Sequence, residues 1–384
     1  ECPIYLKVPQ FMRAVRRGDV EAARRIVDDD YPLPCVLGRV CDHLCELTCV
    51  RNHLDEPVAI RDVKRYISEL ERVSGPAPVE RVDDLKVAVI GAGPGGMAVA
   101  KELAAAGCDV DIFEQHRYAG GMVGGAVPEY RLPWSIFERD LRALEELGVM
   151  VHFGRKAGRD FSLQQLREMG FNAIVIMVGA QLSKRLGLDN ENCDGVTDAL
   201  SFLRDAREGR HVAVGARVGV IGAGDTAMDC ARVASRLGGG DVSLIYRRTI
   251  DQMPADREEI EHLLEEEIDV VEMSKPQKLV VRDGKLRGLV CRRMEYRGDR
   301  DDSGRKIPHE GPGSDFEIPL DSLILANSQN AVLDFLNGEA IELNERGYIK
   351  ADPETFRTSI KDIYAGGDVA NEGPASIVKA AAAG

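Results

Sequence analysis

The sequence predicts an α/β protein in which a helical, cysteine-rich head precedes two interleaved Rossmann-like nucleotide-binding domains. Two glycine-rich signatures, Gly91-Ala92-Gly93-Pro94-Gly95-Gly96 and Gly222-Ala223-Gly224-Asp225-Thr226-Ala227, each follow an apolar β-type run directly. Cys2, Cys35, Cys41, Cys45 and Cys49 crowd the start of the chain, whereas Cys108, Cys193, Cys230 and Cys291 are scattered. Near the end, Ile363-Tyr364-Ala365-Gly366-Gly367-Asp368 sets an acid beyond a short strand that has no obvious partner in the second unit. The second nucleotide domain is therefore expected to be inserted within the first.

The elements follow in order. Residues 1–78 lack strand alternation, and amphipathic stretches at 11–27, broken at Gly18-Asp19, and at 59–70 predict helices. Val73-Ser74-Gly75-Pro76-Ala77-Pro78 reads as a linker. The first nucleotide domain is expected to begin over 79–205, with strand 86–90, helix 96–106 stopped by Gly107, and strand 109–114. A Gly- and Pro-rich stretch at 120–133, a helix at 134–147 and an apolar strand at 171–178 come next. The pattern restarts within 206–328: strand 217–221, a helix near 226–237, strand 242–246, a hairpin over 278–294 turning at Asp283-Gly284, a loop-like stretch at 298–317, and strand 322–326. Residues 329–384 return to the first domain and end, after a Gly-Pro turn, in a helix at 375–383. The absence of an initiator Met before Glu1-Cys2-Pro3, and the helix cut short at Ala383-Gly384, predict a piece of a longer protein.

In the first signature Gly91 permits a tight turn, Gly93 lets the backbone approach a diphosphate, and Gly96 allows close helix and strand packing. Gly95 continues the open helix start, whose free N–H groups face the phosphates. Glu114, at the end of the next strand, stands where an acid accepts hydrogen bonds from an adenosine ribose. Gly367 and Asp368 supply a second phosphate-facing strand end, which favours FAD at this site; the alternative for Asp368 is a cap on the final helix.

The second signature repeats the logic through Gly222 and Gly224, with Ala227 at the small-residue position and Asp225-Thr226 able to cap the following helix. It is the expected nicotinamide site. The next strand ends in Tyr246-Arg247-Arg248 rather than in an acid. Arg247 and Arg248 suit the 2′-phosphate of NADPH, unless one of them pairs with Glu258-Glu259-Ile260-Glu261 and leaves room for NADH.

Cys41, Cys45 and Cys49 recur every fourth residue and would align on one face of a helix. Beside two redox nucleotide sites, thiolates at this spacing favour an iron-sulfur cluster over structural zinc. Cys2, in a Cys-Pro pair, is a further ligand candidate; Cys35, within Leu33-Pro34-Cys35-Val36-Leu37, has the surroundings of a packing residue. A dithiol reductase would need a Cys-x-x-Cys pair, which this chain lacks. A nonredox scaffold would have no use for the glycines and cysteines together.

Acidic residues outnumber basic ones 64 to 50, which disfavours a nucleic acid partner, and no apolar run has the length of a transmembrane segment. Disulfides stabilising a small domain are one explanation of the first cysteines, but two large nucleotide domains favour a reducing, cytoplasmic compartment and metal ligation.

Taken together, Gly38-Arg39-Val40-Cys41-Asp42-His43-Leu44-Cys45-Glu46, the two glycine signatures, Val127-Pro128-Glu129-Tyr130-Arg131-Leu132-Pro133, Tyr246-Arg247-Arg248 and Met253-Pro254-Ala255 resemble the glutamate synthase small subunit family. The chain is also similar to the amino-terminal half of dihydropyrimidine dehydrogenase. The resemblance implies a head with two [4Fe-4S] clusters, then FAD and NAD(P)H domains of the pyridine nucleotide-disulfide oxidoreductase type. It implies Cys2, Cys41 and Cys45 as ligands of one cluster and Cys49 as a ligand of the other. The family often completes the first set with a Gln or Glu after Pro57; Lys64 stands near that place, and Cys35 is the substitute candidate. It further implies that Gly120, Gly121, Arg131 and Leu132 surround the flavin, that Gly367 and Asp368 meet FAD, and that Ala375 and Ser376 approach its ring. Members pass electrons from nicotinamide through FAD and clusters to a larger catalytic redox subunit or a ferredoxin-like carrier, as part of a hetero-oligomer. An NADH-linked subunit of a tungsten aldehyde or aromatic acyl-CoA redox complex is the alternative within the family.

Overall fold

The computed structural model describes residues 2–70, 81–82, 85–370, 373 and 375–384, and the chain divides into two compact units. One comprises Glu1–Gly125, Glu129–Gln181 and Ala331–Gly384; the other comprises Ala126–Pro128 and Leu182–Asn330. The linker expected at 73–78 and Pro374 of the Gly-Pro turn lie outside the described residues.

The first unit contains a parallel sheet ordered Ile363–Ala365, Ala173–Ile176, Lys86–Ile90, Asp109–Glu114, Met150–Phe153. Val87, Ala88, Val89 and Ile90 are all buried, because both faces of the central strand are covered. The terminal strand pairs Ile363 with Ile174, so the chain returns to its first sheet after the insertion. One face packs Phe113, Phe161, Phe171, Ile174, Ile176 and Ile363 into a core.

The head forms helices at Val8–Arg16, Val20–Asp30, Pro34–Val40, Leu44–Leu47 and Ile60–Glu69. Gly18, at φ +76°, breaks the first pair, and Asp19 caps the second helix by accepting from Ala22 N at 3.0 Å. Gly38 lets Pro34–Val40 lie against Ile60–Glu69: a β-carbon there would stand 3.1 Å from Arg65 Cα.

Charged side chains from the sheet domain grip the ends of the head helices. Lys101 Nζ donates to the carbonyls of Asp28 and Tyr31, both at 2.9 Å, where Val20–Asp30 ends. Arg139 donates to the carbonyls of Glu69 at 2.6 Å and Leu70 at 2.5 Å, where Ile60–Glu69 ends. Asp140 accepts from Cys35 N at 3.2 Å and Val36 N at 2.8 Å, where Pro34–Val40 begins. Each charge opposes the partial charge of the helix end it meets and satisfies backbone groups that have no intrahelical partner. Because Asp140 is buried and the two N–H groups have no water to turn to, Asp140→Ala is expected to destabilise the head by about 3 kcal/mol, read by urea unfolding. Asp140→Asn, which keeps an acceptor, loses less.

The second unit contains a parallel sheet ordered Val196–Asp198, Ser322–Leu325, Arg217–Ile221, Asp241–Ile245, Asp269–Val271. A three-stranded antiparallel sheet, Ser274–Arg282, Lys285–Arg300 and Lys306–Pro319, accompanies it. The expected turn is present, with Asp283 at φ +52° and Gly284 at φ +74°, both left-handed as a tight hairpin requires. The stretch 298–317 is not a loop for most of its length: Lys306–Pro319 pairs with Lys285–Arg300. Its end alternates, with half-buried Phe316 and Ile318 packed against the core of the unit, whereas 306–313 is interrupted by Pro308, Gly311, Pro312 and Gly313 and shows no apolar alternation. Its side chains also make cross-strand ion pairs, Arg292–Asp315 at 2.6 Å and Arg292–Glu310 at 2.7 Å.

Candidate functional site

In the first unit the glycine turn leaves strand Lys86–Ile90 and enters helix Pro94–Ala105. Gly91 sits at φ +104°, and a β-carbon there would meet Met177 O at 2.6 Å. A β-carbon on Gly96 would lie 1.9 Å from Gly91 O, and one on Gly95 would lie 2.7 Å from Ala380 O of the final helix, Ile377–Ala382. At Gly93 a β-carbon would meet nothing within 4 Å, so the backbone there faces open space. Gly93 caps the helix without a side chain, leaving its first N–H groups for an anion. Glu114 is buried; its Oε2 accepts from Ala92 N at 2.9 Å and its Oε1 from His116 N at 2.8 Å. Gly120 donates to Ala92 O at 2.7 Å, and a β-carbon on Gly121 would stand 3.0 Å from Gly93 Cα, which sets this pair against the turn. Leu132 is fully buried and Arg131 half-buried.

Beyond strand Ile363–Ala365, Gly366 donates to Ile176 O, and Gly367, at φ +65°, lies against Met177 and Ala380 beside the same turn. Asp368 does not cap the final helix, whose cap position is Ser376. Its Oδ1 is buried without a hydrogen-bond partner among the described residues, and burial pushes the carboxyl up to about 6. A buried acceptor without a donor beside a glycine turn fits a ligand that brings hydroxyls, as the ribityl and diphosphate region of FAD does. The sign follows from the raised value: the proton held in the folded state contributes stability that is complete below the ordinary carboxyl value near 4. It is lost as pH rises through about 6. Flavin-stripped protein is therefore expected to lose about 3 kcal/mol over that interval relative to Asp368→Asn, read as the difference between their urea unfolding curves.

Ser376 Oγ donates to Asp42 Oδ2 at 2.5 Å, tying the start of the final helix to the segment between Cys41 and Cys45. Around that segment, Cys2 and Cys41 both lie against the buried Tyr31 hydroxyl, which donates to Cys41 Sγ at 3.5 Å. Burial and the neighbouring Cys41 push the Cys45 thiol up to about 11, and Lys64 opposes this. The structure thus gathers Cys2, Cys41 and Cys45 with Tyr31 and Lys64. The three soft thiolate donors fit a cluster. Cys49 stands at the cap of the 3-10 turn Val50–His53, its N–H donating to Glu46 O at 3.1 Å.

Two expectations are corrected here. The cysteines do not align on one helix: Cys41 ends Pro34–Val40, His43 turns left-handed at φ +34°, and Cys49 precedes a separate 3-10 turn, Val50–His53. Cys35 does not substitute for the missing ligand, since its buried thiol donates to Ser68 O at 3.2 Å. Tyr31 is not among the residues the sequence points to, and Lys64 is singled out there only by its place near the fourth ligand of the resembled family. The signal for Lys64 was present: with Ile60 and Ile67 it occupies the buried stripe of its helix.

In the second unit Gly222, at φ +145°, would place a β-carbon 2.4 Å from Ala326 O, whereas one on Gly224 would meet nothing within 4 Å. Gly224 is itself the cap of helix Asp225–Arg236, so Asp225 and Thr226 stand inside the helix rather than before it. Asp225 Oδ1 accepts from Asp256 N at 2.9 Å, and Ala227 is fully buried. The arginine pair divides. Arg248 is buried, donating to Lys306 O at 3.0 Å and Asp301 Oδ2 at 3.2 Å, while Arg247 is exposed and takes no partner among the described residues. Neither pairs with the acidic helix, where Glu259 binds Arg232 at 2.7 Å. Both arginines line a cavity of about 460 Å³ with Lys275, Asp301 and His309.

Among the described residues no helix is long and apolar enough to cross a membrane. Residues 85–384 match the family described as pyridine nucleotide-disulphide oxidoreductase, and residues 1–75 match dihydropyrimidine dehydrogenase domain II, 4Fe-4S cluster. The NADP(+)-dependent formate dehydrogenase subunit beta of Moorella thermoacetica is 37% identical, over 100% of this chain and 57% of that protein. The glutamate synthase (NADPH) small chain of Halomonas elongata is 33% identical, over 96% of this chain and 82% of its own length. FprA of Mycobacterium tuberculosis, solved in complex with NADPH, shares the fold with a TM-score of 0.65 at 18% identity, over 78% of this chain and 82% of that one. The chain therefore spans little more than half the length of the Moorella protein.

Proposed function

Because the chain belongs to the pyridine nucleotide-disulphide oxidoreductase family, among the FAD- and NAD(P)H-dependent oxidoreductase subunits with an iron-sulfur domain, we propose that it is an NADPH-linked electron-transfer subunit. Its place is between NADPH and a larger catalytic redox subunit, in the manner of the glutamate synthase small subunit. The observation that carries this reading is the Ser376–Asp42 hydrogen bond, which joins the glycine-turn side of the first unit to the cysteine segment. Bound FAD supplies the conversion between two-electron hydride chemistry and one-electron transfer to a cluster.

The residues of this chain bind and orient. Gly91, Gly93, Gly95 and Gly96 admit the flavin diphosphate, Glu114 shapes the turn and offers its remaining lone pairs to the ribose, and Asp368 takes a hydroxyl. Gly120, Gly121, Arg131, Leu132, Ala375 and Ser376 are assigned to the flavin surroundings. Gly222, Gly224, Asp225 and Thr226 form the nicotinamide turn, with Arg247 as the 2′-phosphate contact. Cys2, Cys41 and Cys45 hold one cluster, and Cys49 is assigned to a second. Arg247 is uncommitted, and both relatives bear NADP or NADPH in their names, which supports NADPH. Those names, a subunit beta and a small chain, support a hetero-oligomer.

Anaerobic titration of the full chain with NADPH and with NADH, following flavin absorbance and cluster EPR, tests the reading. NADPH is expected to bleach the flavin and raise a reduced-cluster signal. Flavin reduction with no cluster signal at any NADPH level would reduce the protein to a simple flavoenzyme.

A further inference from the structure

We propose that Lys64 sets the reduction potential of the cluster held by Cys2, Cys41 and Cys45, acting with the hydroxyl of Tyr31. This rests on the cluster assignment above. Lys64 is 3% exposed on helix Ile60–Glu69, between Ile60 and Ile67 on the buried stripe. Its Nζ donates to Tyr31 Oη at 2.9 Å and lies 4.4 Å from the centre of the Tyr31 ring. Among the described residues it pairs with no carboxylate. The nearby Glu46 is already engaged, with Oε2 on His43 Nδ1 at 3.0 Å and Oε1 accepting from Arg61 N at 2.7 Å.

A buried ammonium costs several kcal/mol unless an opposite charge answers it. A neutral phenol does not supply that charge. The groups in reach that become anionic on binding iron are the thiols that share this pocket: Tyr31 links Lys64 to Cys41, and Lys64 acts on Cys45. The counter-charge for Lys64 is thus the thiolate-bound cluster. One electron, donated by flavin that NAD(P)H has reduced, adds one negative charge to that cluster. No bond forms or breaks and no proton moves. A fixed positive charge beside the cluster favours the reduced state, and Tyr31, donating toward sulfur, adds to the effect.

The test is a redox titration of the full chain with its cluster assembled, using dithionite and mediators, read by EPR, with iron and sulfide measured in each protein. Lys64→Met is expected to lower the ratio of reduced to oxidised cluster about tenfold at a given potential, a midpoint about 59 mV more negative. Tyr31→Phe shifts it less in the same direction, and Lys64→Arg restores most of the wild-type value. Should Lys64→Met not fold, Lys64→Arg and Tyr31→Phe carry the comparison. An intact cluster with an unchanged midpoint in Lys64→Met, or in Tyr31→Phe if Lys64→Met is lost, overturns the proposal. Wild-type protein that assembles no iron and sulfide removes the underlying cluster assignment instead.

Discussion

Gly96→Ala is expected to yield protein that retains no flavin and is less stable by about 3 kcal/mol, the upper end of what overpacking costs. The added methyl would lie 1.9 Å from the Gly91 carbonyl oxygen, a backbone atom that cannot withdraw. Gly91 is itself fixed, since it sits at φ +104° with Met177 O behind it. Gly93→Val makes the contrast, because that position faces open space. Its stability is expected to stay within about 1 kcal/mol of wild type, while its side chain fills the approach to the diphosphate and weakens flavin binding at least 100-fold. Urea unfolding and flavin absorbance after gel filtration separate the two. A Gly93→Val protein with a full complement of flavin would mean that the diphosphate does not cross this turn.

Arg247→Ala is expected to lower kcat/KM for NADPH about 100-fold and leave NADH turnover nearly unchanged, since a charge-assisted contact to the 2′-phosphate contributes about 2–3 kcal/mol. Arg248→Ala is expected to behave differently. That guanidinium is buried and holds Lys306 O and Asp301, so its loss loosens the antiparallel sheet and affects both cofactors alike. Steady-state kinetics with each nucleotide, beside thermal melting, distinguishes these outcomes. Equal losses with NADPH and NADH in Arg247→Ala would remove the assigned role.

The glycine turns were legible because steric demands at Gly91, Gly96 and Gly222 admit no other residue, and such demands show in sequence at fixed spacing. The return of the chain to its first sheet was legible from the stranded run at Ile363–Ala365. Lys306–Pro319 was not, since its alternation is confined to the end, around Phe316 and Ile318, and the rest is interrupted by Pro308, Gly311, Pro312 and Gly313. The division of labour between Arg247 and Arg248 was equally hidden, for it depends on a carbonyl more than fifty positions away, at Lys306. Lys64 was visible as a charge, but its meaning comes from Tyr31, which another helix brings to it.

The grip of Lys101, Arg139 and Asp140 on the head helices has a kinetic meaning. A carrier that swings on a tether waits for diffusion to bring donor and acceptor within tunnelling range, and slows as the medium thickens. Here the head is clasped at three helix termini by the domain that is to supply its electrons. The length of that internal hop is fixed once the chain has folded, so added glycerol should leave its rate untouched while slowing any step that requires a separate protein to arrive.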